Sequence, residues 1–330
     1  MNIPELDAFL SRAGLAGPDT PSQLTPLTGG VSSDIWRVDL ADGRTLCVKR
    51  ALAKLKVAAD WQAPVSRNAF EWAWIQFAAQ LLPHAVPQPL AHDEALGMFA
   101  MQFLDAASHP VWKQQLLSGL VDVVTAAKVG EVVGLLHQAS AHRTDLAQAF
   151  DTGEHFHALR LEPYLLATAH RHPDLAPRLH ELVERTASHP VALVHGDVSP
   201  KNILVGPRGP VLLDAECAWY GDPAFDVAFC LNHLLLKRVV VPDQAAQLHQ
   251  SFQAFVEAYF AQAVYESRGD LEMRCAQLLP ALMLARIDGK SPVEYITQEA
   301  DRERVRHFAM PLIATPPSRL IEVAGAWFAQ

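Results

Sequence analysis

The sequence has little cysteine and no histidine cluster. Its four cysteines, Cys47, Cys217, Cys230 and Cys275, form no Cys-x-x-Cys pair, and each has apolar neighbours. This pattern predicts reduced thiols in a core and argues against a disulfide framework. The fifteen histidines are scattered without the spacing of metal ligands, which argues against a zinc site.

The chain also lacks long runs of positive charge and of apolar residues. Its net charge is -9, so neither nucleic acid nor an anionic membrane is an expected partner. The N-terminus has early acidic residues and lacks the order of a signal peptide, and the apolar stretch Val227 to Leu236 contains Asn232 and His233. The sequence therefore predicts a soluble, cytoplasmic protein.

What the chain does have is length and apolar content, with 330 residues of which 50% are hydrophobic. A chain of this size buries a full core and favours two lobes over one compact unit. Asp105 to Pro110 is typical of a linker. We therefore expect an N-terminal lobe over residues 1–104 and a C-terminal lobe over residues 105–330.

The N-terminal part favours strands. Apolar segments typical of strands run over Ile35 to Leu40, Arg44 to Arg50, Pro89 to His92 and Met98 to Leu104. Asp42-Gly43, between the first two, is typical of a hairpin turn. Helical spacing over Ser66 to Leu82 predicts a helix that Ser66 caps and Pro83 ends, and residues 1–15 predict a short amphipathic helix.

The remainder favours helices around a few short strands. Apolar residues recur at helical spacing over Val121 to Ala141, Phe156 to Ala169, Leu175 to Ala187, Ala245 to Ser267 and Leu271 to Ala285. Short apolar runs typical of strands lie at Ala192 to Val194, Ile203 to Val205 and Val211 to Leu213. The turn Gly206 to Gly209 is expected to pair the last two, so these strands can hold a polar loop rigidly.

A polar segment follows the first of these short strands. Asp197 ends the strand, Asn202 follows five residues later, and the hairpin then presents Asp214 at a strand end. Phosphoryl transfer needs a carboxylate that accepts the proton of a hydroxyl, and an amide and a carboxylate that hold magnesium against phosphates. Each residue alone is explained equally well by a turn or loop hydrogen bond. Their order and strand context together predict Asp197 as the base and Asn202 and Asp214 as metal ligands.

The motif HGDxxxxN, formed by His195 to Asn202 and followed by a strand-borne aspartate, resembles the aminoglycoside phosphotransferase and choline kinase family. Asp214-Ala215-Glu216 and the following AWYGDPAFD are similar to methylthioribose kinases, in which a DxE pair binds metal. The resemblance implies an α+β, bilobal protein-kinase-like fold with a β-rich N-terminal lobe and a mostly α-helical C-terminal lobe. It also implies that Glu216 helps to bind magnesium and that Asp226 braces the catalytic loop.

The N-terminal lobe contains candidates for binding ATP. Gly29, Gly30 and Ser32 lie at a strand turn, where backbone N–H groups approach phosphate oxygens, although a Gly-Gly turn is more often only a turn. The chain has no GxxxxGK[ST] loop. Lys49 follows in an apolar strand, where the fold implied by the resemblance places a lysine on the α- and β-phosphates.

That lysine needs a carboxylate to orient it. Glu71, in the helix predicted over Ser66 to Leu82, is the first candidate, and Asp93 and Glu94 are the alternatives. Met101 to Leu104 resembles the hinge whose backbone pairs with adenine. Gln102 and Leu104 are its nucleotide-binding candidates.

Candidates for binding the acceptor are weaker. Trp219 and Tyr220 follow the metal segment and are candidates to wall the acceptor pocket, with packing in the core as the alternative. Arg286, with Asp288 and Lys290, ends a helix and is a candidate to bind a charged or hydroxylated acceptor, with ordinary helix-end charges as the alternative.

Two further polar residues, Ser199 and Lys201, lie inside the loop at positions where members of the resembled family vary. Lys201 is a candidate to neutralise charge that develops on the transferred phosphoryl group. A solvated lysine explains it as well.

These residues together predict a kinase that uses ATP and Mg2+ to phosphorylate a hydroxyl of a small molecule. A sugar or polyol is the first acceptor to consider, an amino alcohol the second and an aminoglycoside the third. One alternative is a catalytically silent nucleotide-binding module, whose usual mark would be a missing lysine, base or metal residue. Another is a protein kinase, which the absence of an APE-type segment after Asp214 disfavours.

Overall fold

Five strands near the N-terminus form one antiparallel sheet. The structure is a computed structural model that describes residues 4–17, 23–27, 33–52 and 66–330. The sheet has the order β1-β2-β3-β5-β4. Its strands are β1 (Gln23–Pro26), β2 (Ser33–Asp39), β3 (Thr45–Ala51), β4 (Pro89–Asp93) and β5 (Met98–Gln102). The four strands predicted over this part are all present, although β5 ends at Gln102 rather than Leu104.

The hairpin predicted at Asp42-Gly43 is confirmed. Asp39 pairs with Thr45 in antiparallel register, so the loop between them is short. Gly43 adopts a φ of 88°, a conformation that a residue without a Cβ takes at little energetic expense.

A helix covers each face of this sheet. Helix α1 (Pro4–Arg12) packs with Trp36 and Val38 on one face, and helix α2 (Arg67–Leu81) packs against Phe99 on the other. Side chains alternate between the two faces of a strand. Lys49, the partner of Phe99 in the register of β3 and β5, therefore faces α2.

Helix α2 presents one continuous buried face to the sheet. Arg67, Glu71, Trp74 and Ala78 are all buried, and their spacings of four, three and four residues place them on one side of a helix. The prediction that Ser66 caps this helix is wrong. Its φ of -55° and ψ of -21° are helical, and its side chain makes no capping bond, whereas a capping serine needs an extended backbone to reach the first free N–H groups.

The rest of the described chain is mostly helical. The helices after α2 are α3 (Trp112–Leu117), α4 (Val123–Ser140), α5 (Thr144–Ala149), α6 (Gly153–Phe156), α7 (Ala167–Arg171), α8 (Ala176–Ala187), α9 (Ala224–Val240), α10 (Ala245–Gln262), α11 (Arg268–Asp288), α12 (Glu299–Ala314) and α13 (Leu320–Phe328). A π-helical segment, His157–Leu166, joins α6 to α7. Helix α9 is buried on nearly all sides, so the other helices pack around it.

One predicted helix is shorter than its periodicity indicates. Helix α10 ends at Gln262, not at Ser267. The side-chain oxygen of Gln138 accepts a hydrogen bond from the N–H of Val264, at 2.9 Å. The same N–H also donates to the carbonyl of Gln262 at 3.0 Å and so does not continue α10, and the sequence pattern contains no sign of the contact with Gln138.

Four short strands lie within the helical part, namely β6 (Ala192–Val194), β7 (Ile203–Gly206), β8 (Gly209–Leu212) and β9 (Trp219–Gly221). The hairpin predicted between β7 and β8 is confirmed, because Gly206 pairs with Gly209. β9 pairs antiparallel with β6, a contact that was not predicted. The loop between β6 and β7 and the segment between β8 and β9 are therefore held side by side.

The prediction of reduced core thiols is confirmed, because all four cysteines are free and buried. Among the helices of the described residues, none combines the length and the apolarity that crossing a bilayer requires.

Candidate active site

The loop between β6 and β7 is held from below by a buried carboxylate. Asp226, in the first turn of α9, accepts hydrogen bonds from the backbone N–H groups of His195 at 2.7 Å and Gly196 at 2.8 Å. The bracing role predicted for Asp226 therefore has its contacts. His137 extends the support, because its Nε2 lies 3.2 Å from Asp226 and its Nδ1 lies 3.0 Å from the hydroxyl of Tyr259.

Gly196 makes the turn that aims Asp197 into the site. Its φ is 77°, and a Cβ at this position would lie 2.6 Å from the carbonyl oxygen of Cys217. Both the positive φ and the close backbone exclude a side chain there. A glycine is therefore required between His195 and Asp197 for steric reasons.

Asp197 is buried between two cations. The Nη2 atom of Arg160 lies 2.8 Å from one carboxylate oxygen, and the Nζ of Lys201 lies 3.1 Å from the same oxygen. Ser199 donates a bond to the other oxygen at 3.2 Å. Burial opposes a charge on Asp197, but Lys201 and Arg160 outweigh it and lower the pKa of the carboxyl below its usual range.

Arg160 was missed by the sequence analysis. It lies in the π-helical segment, is buried, and also donates from Nε to the carbonyl of Gly196 at 2.6 Å. The only sequence sign of its role is a positive charge within the apolar stretch HALRLEPYLL. Ordinary helical patterning treats such a residue as part of an exposed face.

The β7–β8 hairpin brings Asn202 next to the segment that carries Asp214. The carbonyl of Asn202 accepts the N–H of Leu213 at 2.9 Å. The side-chain Nδ2 of Asn202 donates to the carbonyl of Asp197 at 3.2 Å. Asp214 has a φ of 68°, so the chain turns sharply where its carboxylate enters the site.

Lys49 joins the sheet to this segment. Its Nζ lies 2.7 Å from the Oε1 atom of Glu71 and also contacts the carboxylate of Asp214. The predicted pairing of Lys49 with Glu71 is thus present, whereas Asp93, one of the alternatives, pairs with Arg12 at 2.6 Å.

Burial opposes the charged form of Lys49, but the carboxylates of Asp214 and Glu71 outweigh it and raise the pKa of the amine. Burial likewise opposes the charge of Asp214, but Lys49 and Lys201 outweigh it and lower the pKa of that carboxyl. Both groups are therefore charged at neutral pH.

The oxygen donors at this point fit a magnesium ion. Asp214 supplies an ionised carboxylate, and the bond that Asn202 makes through Nδ2 leaves its Oδ1 outside that contact. Within the described ranges, no three His, Cys, Asp or Glu side chains are grouped to hold a metal. Mg2+ is usually held by one or two carboxylates together with substrate phosphates and water, and Asp214 and Asn202 are donors of this kind.

Glu216 is engaged elsewhere. Its Oε2 lies 3.1 Å from the Nε of Arg67, a buried residue at the start of α2. Arg67 was not predicted to belong to the site. Both carboxylates of the pair already contact a cation, Glu216 through Arg67 and Asp214 through Lys49, and a magnesium ion would have to compete with each.

The remaining nucleotide-binding candidates are the glycine turn and the hinge residues. Gly29, Gly30 and Ser32 lie outside the described residues. Gln102 ends β5, and its backbone N–H already donates to the carbonyl of Gln88 at 2.8 Å. Leu104 follows in irregular chain, where a hinge contact with a base is expected to come from backbone atoms.

Trp219 and Tyr220 are core residues. Trp219 stacks on Phe156 with ring centroids 4.3 Å apart. The hydroxyl of Tyr220 donates toward the carbonyls of Val191 and Ser140, at 2.7 and 3.2 Å. These contacts correspond to packing in the core, which was the alternative to a role in the acceptor pocket. The hydroxyl of Tyr220 lies against backbone carbonyls and not in a pocket.

Arg286 is buried and faces a cavity that also contains Lys201. Its guanidinium donates to the hydroxyl of Tyr164 at 3.2 Å. Its neighbours in sequence are used differently, because Asp288 binds Arg306 in an ion pair of 2.8 Å, and Lys290 pairs with Glu162 at the surface. Of the three residues in this segment, Arg286 remains the candidate to contact an acceptor.

Comparison with known proteins identifies a family. Residues 23–267 match the model of a family described as "Phosphotransferase enzyme family". Methylthioribose kinase 1 of Oryza sativa subsp. japonica is 24% identical over 225 residues, which covers 60% of this chain and 52% of the relative. The methylthioribose kinase of Erwinia tasmaniensis is 25% identical over 314 residues, covering 79% of this chain and 76% of the relative. The chain thus spans about half the length of the rice relative.

Solved structures share the fold. A choline/ethanolamine kinase family protein from Mesorhizobium loti superposes with a TM-score of 0.53 at 16% identity, covering 99% of both chains. The amicoumacin kinase hAmiN, solved with AMP-PNP, Ca2+ and Ami, has a TM-score of 0.55 at 17% identity, covering 96% of both chains. The predicted α+β, protein-kinase-like fold is confirmed.

Proposed function

The chain belongs to the phosphotransferase enzyme family, and from that premise we propose that it transfers the γ-phosphoryl group of ATP to a hydroxyl group of a small metabolite. One observation carries the proposal. Lys49 and Glu71, from the sheet and α2, meet Asp214 from the helical part, beside the loop that holds Asp197. A phosphate-binding lysine, a metal carboxylate and a candidate base are the parts that phosphoryl transfer requires.

We assign the nucleotide-binding roles as follows. Lys49, held by Glu71, would contact the α- and β-phosphates, and Asn202 and Asp214 would hold Mg2+, which neutralises charge on the phosphates when bound. Glu216 would assist if it left Arg67. The turn with Gly29, Gly30 and Ser32 and the backbone of Gln102 and Leu104 are proposed to hold the phosphates and the base.

We infer the role of Asp197 from its lowered pKa. A carboxylate held by Arg160 and Lys201 is ionised at neutral pH but is a weak base. Phosphoryl transfer through a loose transition state needs little proton removal before the acceptor bond forms. We therefore propose that Asp197 orients the hydroxyl and receives its proton late in the reaction.

We propose a sugar or polyol hydroxyl as the acceptor. The support is the sequence similarity to methylthioribose kinases, which extends over most of the chain for the relative of Erwinia tasmaniensis. We also propose that residues 1–104 form the nucleotide-binding lobe and residues 105–330 the catalytic and acceptor-binding lobe. Location in the cytoplasm stays a prediction from the sequence.

Replacement of Asp197 tests the proposal. In Asp197→Asn, ATP-dependent phosphorylation of any accepted metabolite is expected to fall by at least ~100-fold, because the amide cannot receive the proton. Nucleotide affinity should change little. The measurement is ADP release with Mg2+ present, together with nucleotide binding by calorimetry.

Asp243→Asn, the same change at an exposed aspartate, is the matched control and should behave as the unchanged protein. Unchanged turnover in Asp197→Asn would remove Asp197 from the chemistry. A wild-type chain that binds MgATP but phosphorylates no metabolite would instead favour the silent nucleotide-binding module.

A further inference from the structure

A narrow cavity adjoins the catalytic loop. It encloses about 240 Å³, its open mouth included, and the residues that line it all lie between 113 and 295. Lys201 lines this cavity and also pairs with Asp197 at 3.1 Å. The strands and the helix that hold Lys49 and Glu71 contribute nothing to its wall. Its position is therefore that of an acceptor site beside Asp197, not of the nucleotide site.

The wall of this cavity is strongly basic. Cationic side chains reach it from four separate elements: Lys113 of α3, Lys201 of the catalytic loop, Lys237 of α9 and Arg286 of α11. His233 also lines the cavity, and Glu294 is the one carboxylate in the described wall. The whole chain has a net charge of -9, so this concentration of cations runs against its overall composition.

Two of these cations already have carboxylate partners. Lys113 pairs with Glu294, and Lys201 pairs with Asp197. Arg286 contacts only neutral groups among the described residues, namely Tyr164 and Ser291, and its Nε has no partner there. The cavity therefore retains an excess of positive charge after its internal ion pairs are counted.

Lys237 is the cation of this cavity that has no carboxylate partner and no hydrogen bond among the described residues. Its side chain is fully buried, and its Nζ makes no hydrogen bond within the described part of the chain. The amine lies 3.6 Å from the centroid of the Tyr295 ring, which compensates only part of the lost hydration. A buried ammonium without an anion is unfavourable, so an anion that entered the cavity would relieve this strain on the fold.

We propose that this cavity binds a compact anionic group of the acceptor, a carboxylate or a phosphate, so that the substrate is a hydroxylated anion. The inference rests on the proposed function and specifies its substrate class. Lys237 and Arg286 hold the anionic group, while the hydroxyl of the same molecule lies against Asp197. Cationic amino alcohols are disfavoured because they would meet uncompensated like charge.

The reaction balances without a further reactant. The acceptor hydroxyl oxygen forms a bond to the γ-phosphorus of ATP, and the bond from that phosphorus to the β–γ bridging oxygen breaks. The bridging oxygen keeps the electron pair and leaves as part of ADP, and the hydroxyl proton passes to Asp197. Lys237 and Arg286 take no part in these bond changes and act only in binding.

A panel of matched acceptors tests the inference. Ribose is compared with ribose 5-phosphate, glycerol with glycerate, and choline is included as a cation, with ADP release measured in excess Mg2+. The kcat/KM of the better anionic compound should exceed that of its neutral partner by at least ~10-fold, as one bond to a charged group is worth. Preference for a neutral or cationic compound, still dependent on Asp197, would overturn the inference and leave the proposed function standing.

Lys237→Met isolates the cavity. This variant should raise the KM for the anionic acceptor by ~10-fold or more while nucleotide affinity stays unchanged. Lys128→Met, the same change at an exposed lysine of α4, is the matched control and should leave KM unchanged. An unchanged KM in Lys237→Met would overturn the assignment.

A binding measurement gives an answer without turnover. Inorganic phosphate, compared with chloride at equal ionic strength and without nucleotide, should raise the unfolding midpoint of the wild-type chain and of Lys128→Met, but not that of Lys237→Met. Equal shifts in all three would place the anion elsewhere and overturn the inference. Failure of the proposed function would give a different result, because no compound would then be phosphorylated in an Asp197-dependent reaction.

Discussion

At the scale of single residues, Lys237 has a buried amine that makes no hydrogen bond within the described part of the chain. Burial and the neighbouring cations Lys113 and Arg286 lower the pKa of Lys237 to about 7, against the opposing effect of Glu294. His233, one turn away, is also buried, and burial and the neighbouring cations lower its pKa well below the usual value, so it is uncharged at neutral pH. In the unfolded chain, by contrast, the lysine has its ordinary pKa of about 10.4.

This difference predicts a pH dependence of stability. Between about pH 7 and pH 10 the unfolded chain binds a proton at Lys237 that the folded chain does not, so the contribution of Lys237 to the free energy of unfolding rises with pH. Lys237→Met removes the contribution and should stabilise the ligand-free protein at pH 7 by a few kcal/mol. The difference in the free energy of unfolding between Lys237→Met and the wild-type chain should become smaller toward pH 10.

The measurement is urea unfolding of the wild-type chain and Lys237→Met at pH 7, 8.5 and 10. Other titrating groups cancel in the difference between the two proteins. A difference that does not vary with pH would contradict the burial of an unpaired amine at this position.

At the scale of elements, the loop that carries Asp197 depends on helix α9. The helix begins just after Pro223, and its first turn places Asp226 beneath the loop, where the helix dipole also favours a negative charge. The same helix presents Lys237 to the cavity three turns later. One rigid element therefore positions both the loop that carries Asp197 and the proposed acceptor site.

Asp226→Asn is expected to lower kcat by ~10- to 100-fold, because an amide can accept through only one oxygen and its NH2 group would face a backbone N–H. The KM for ATP should change less, since Lys49 and Asp214 are untouched. Stability should fall by about 1–3 kcal/mol. Steady-state kinetics well below the unfolding temperature separate the positioning effect from unfolding.

Asp270→Asn serves as the control, because Asp270 is an exposed carboxylate in the first turn of α11. It should leave kcat unchanged. A loss of stability in Asp226→Asn with full kcat would show that the brace supports the fold but does not position the loop.

At the scale of the whole molecule, the sheet and the helical part meet at the contact of Lys49 with Asp214. Both residues are proposed to bind the same nucleotide and its metal. A ligand that bridges the two parts stabilises the folded state by binding it and not the unfolded chain.

ATP with Mg2+ at 100 times its dissociation constant should therefore stabilise the protein by about 2.7 kcal/mol, which corresponds to a rise of several degrees in Tm. A chelator should remove most of the gain, and Asp214→Asn should show little difference between the two conditions. Thermal unfolding with ATP alone, with MgATP and with added chelator measures this. Equal stabilisation with and without Mg2+ would contradict the assignment of Asn202 and Asp214 as metal ligands.

The sequence by itself determined the parts of this protein that depend on neighbouring residues. The β7–β8 hairpin and the loop from His195 to Asn202 are local, so turn residues and short strands predict them. Alternation along β3 puts Lys49 on the face opposite Val48, and helical spacing puts Glu71 on the buried face of α2. These regularities come from backbone geometry, which acts over a few residues.

Only the tertiary structure decided what meets Asp197 and what lines the cavity beside it. Arg160 and Lys237 look like ordinary helix charges in the sequence, and both become buried because helices far apart along the chain pack around them. Asp93 and Glu71 were both candidates to pair with Lys49, and the position of α2 against the sheet selected Glu71. Pairing and burial depend on long-range packing, which no local pattern records.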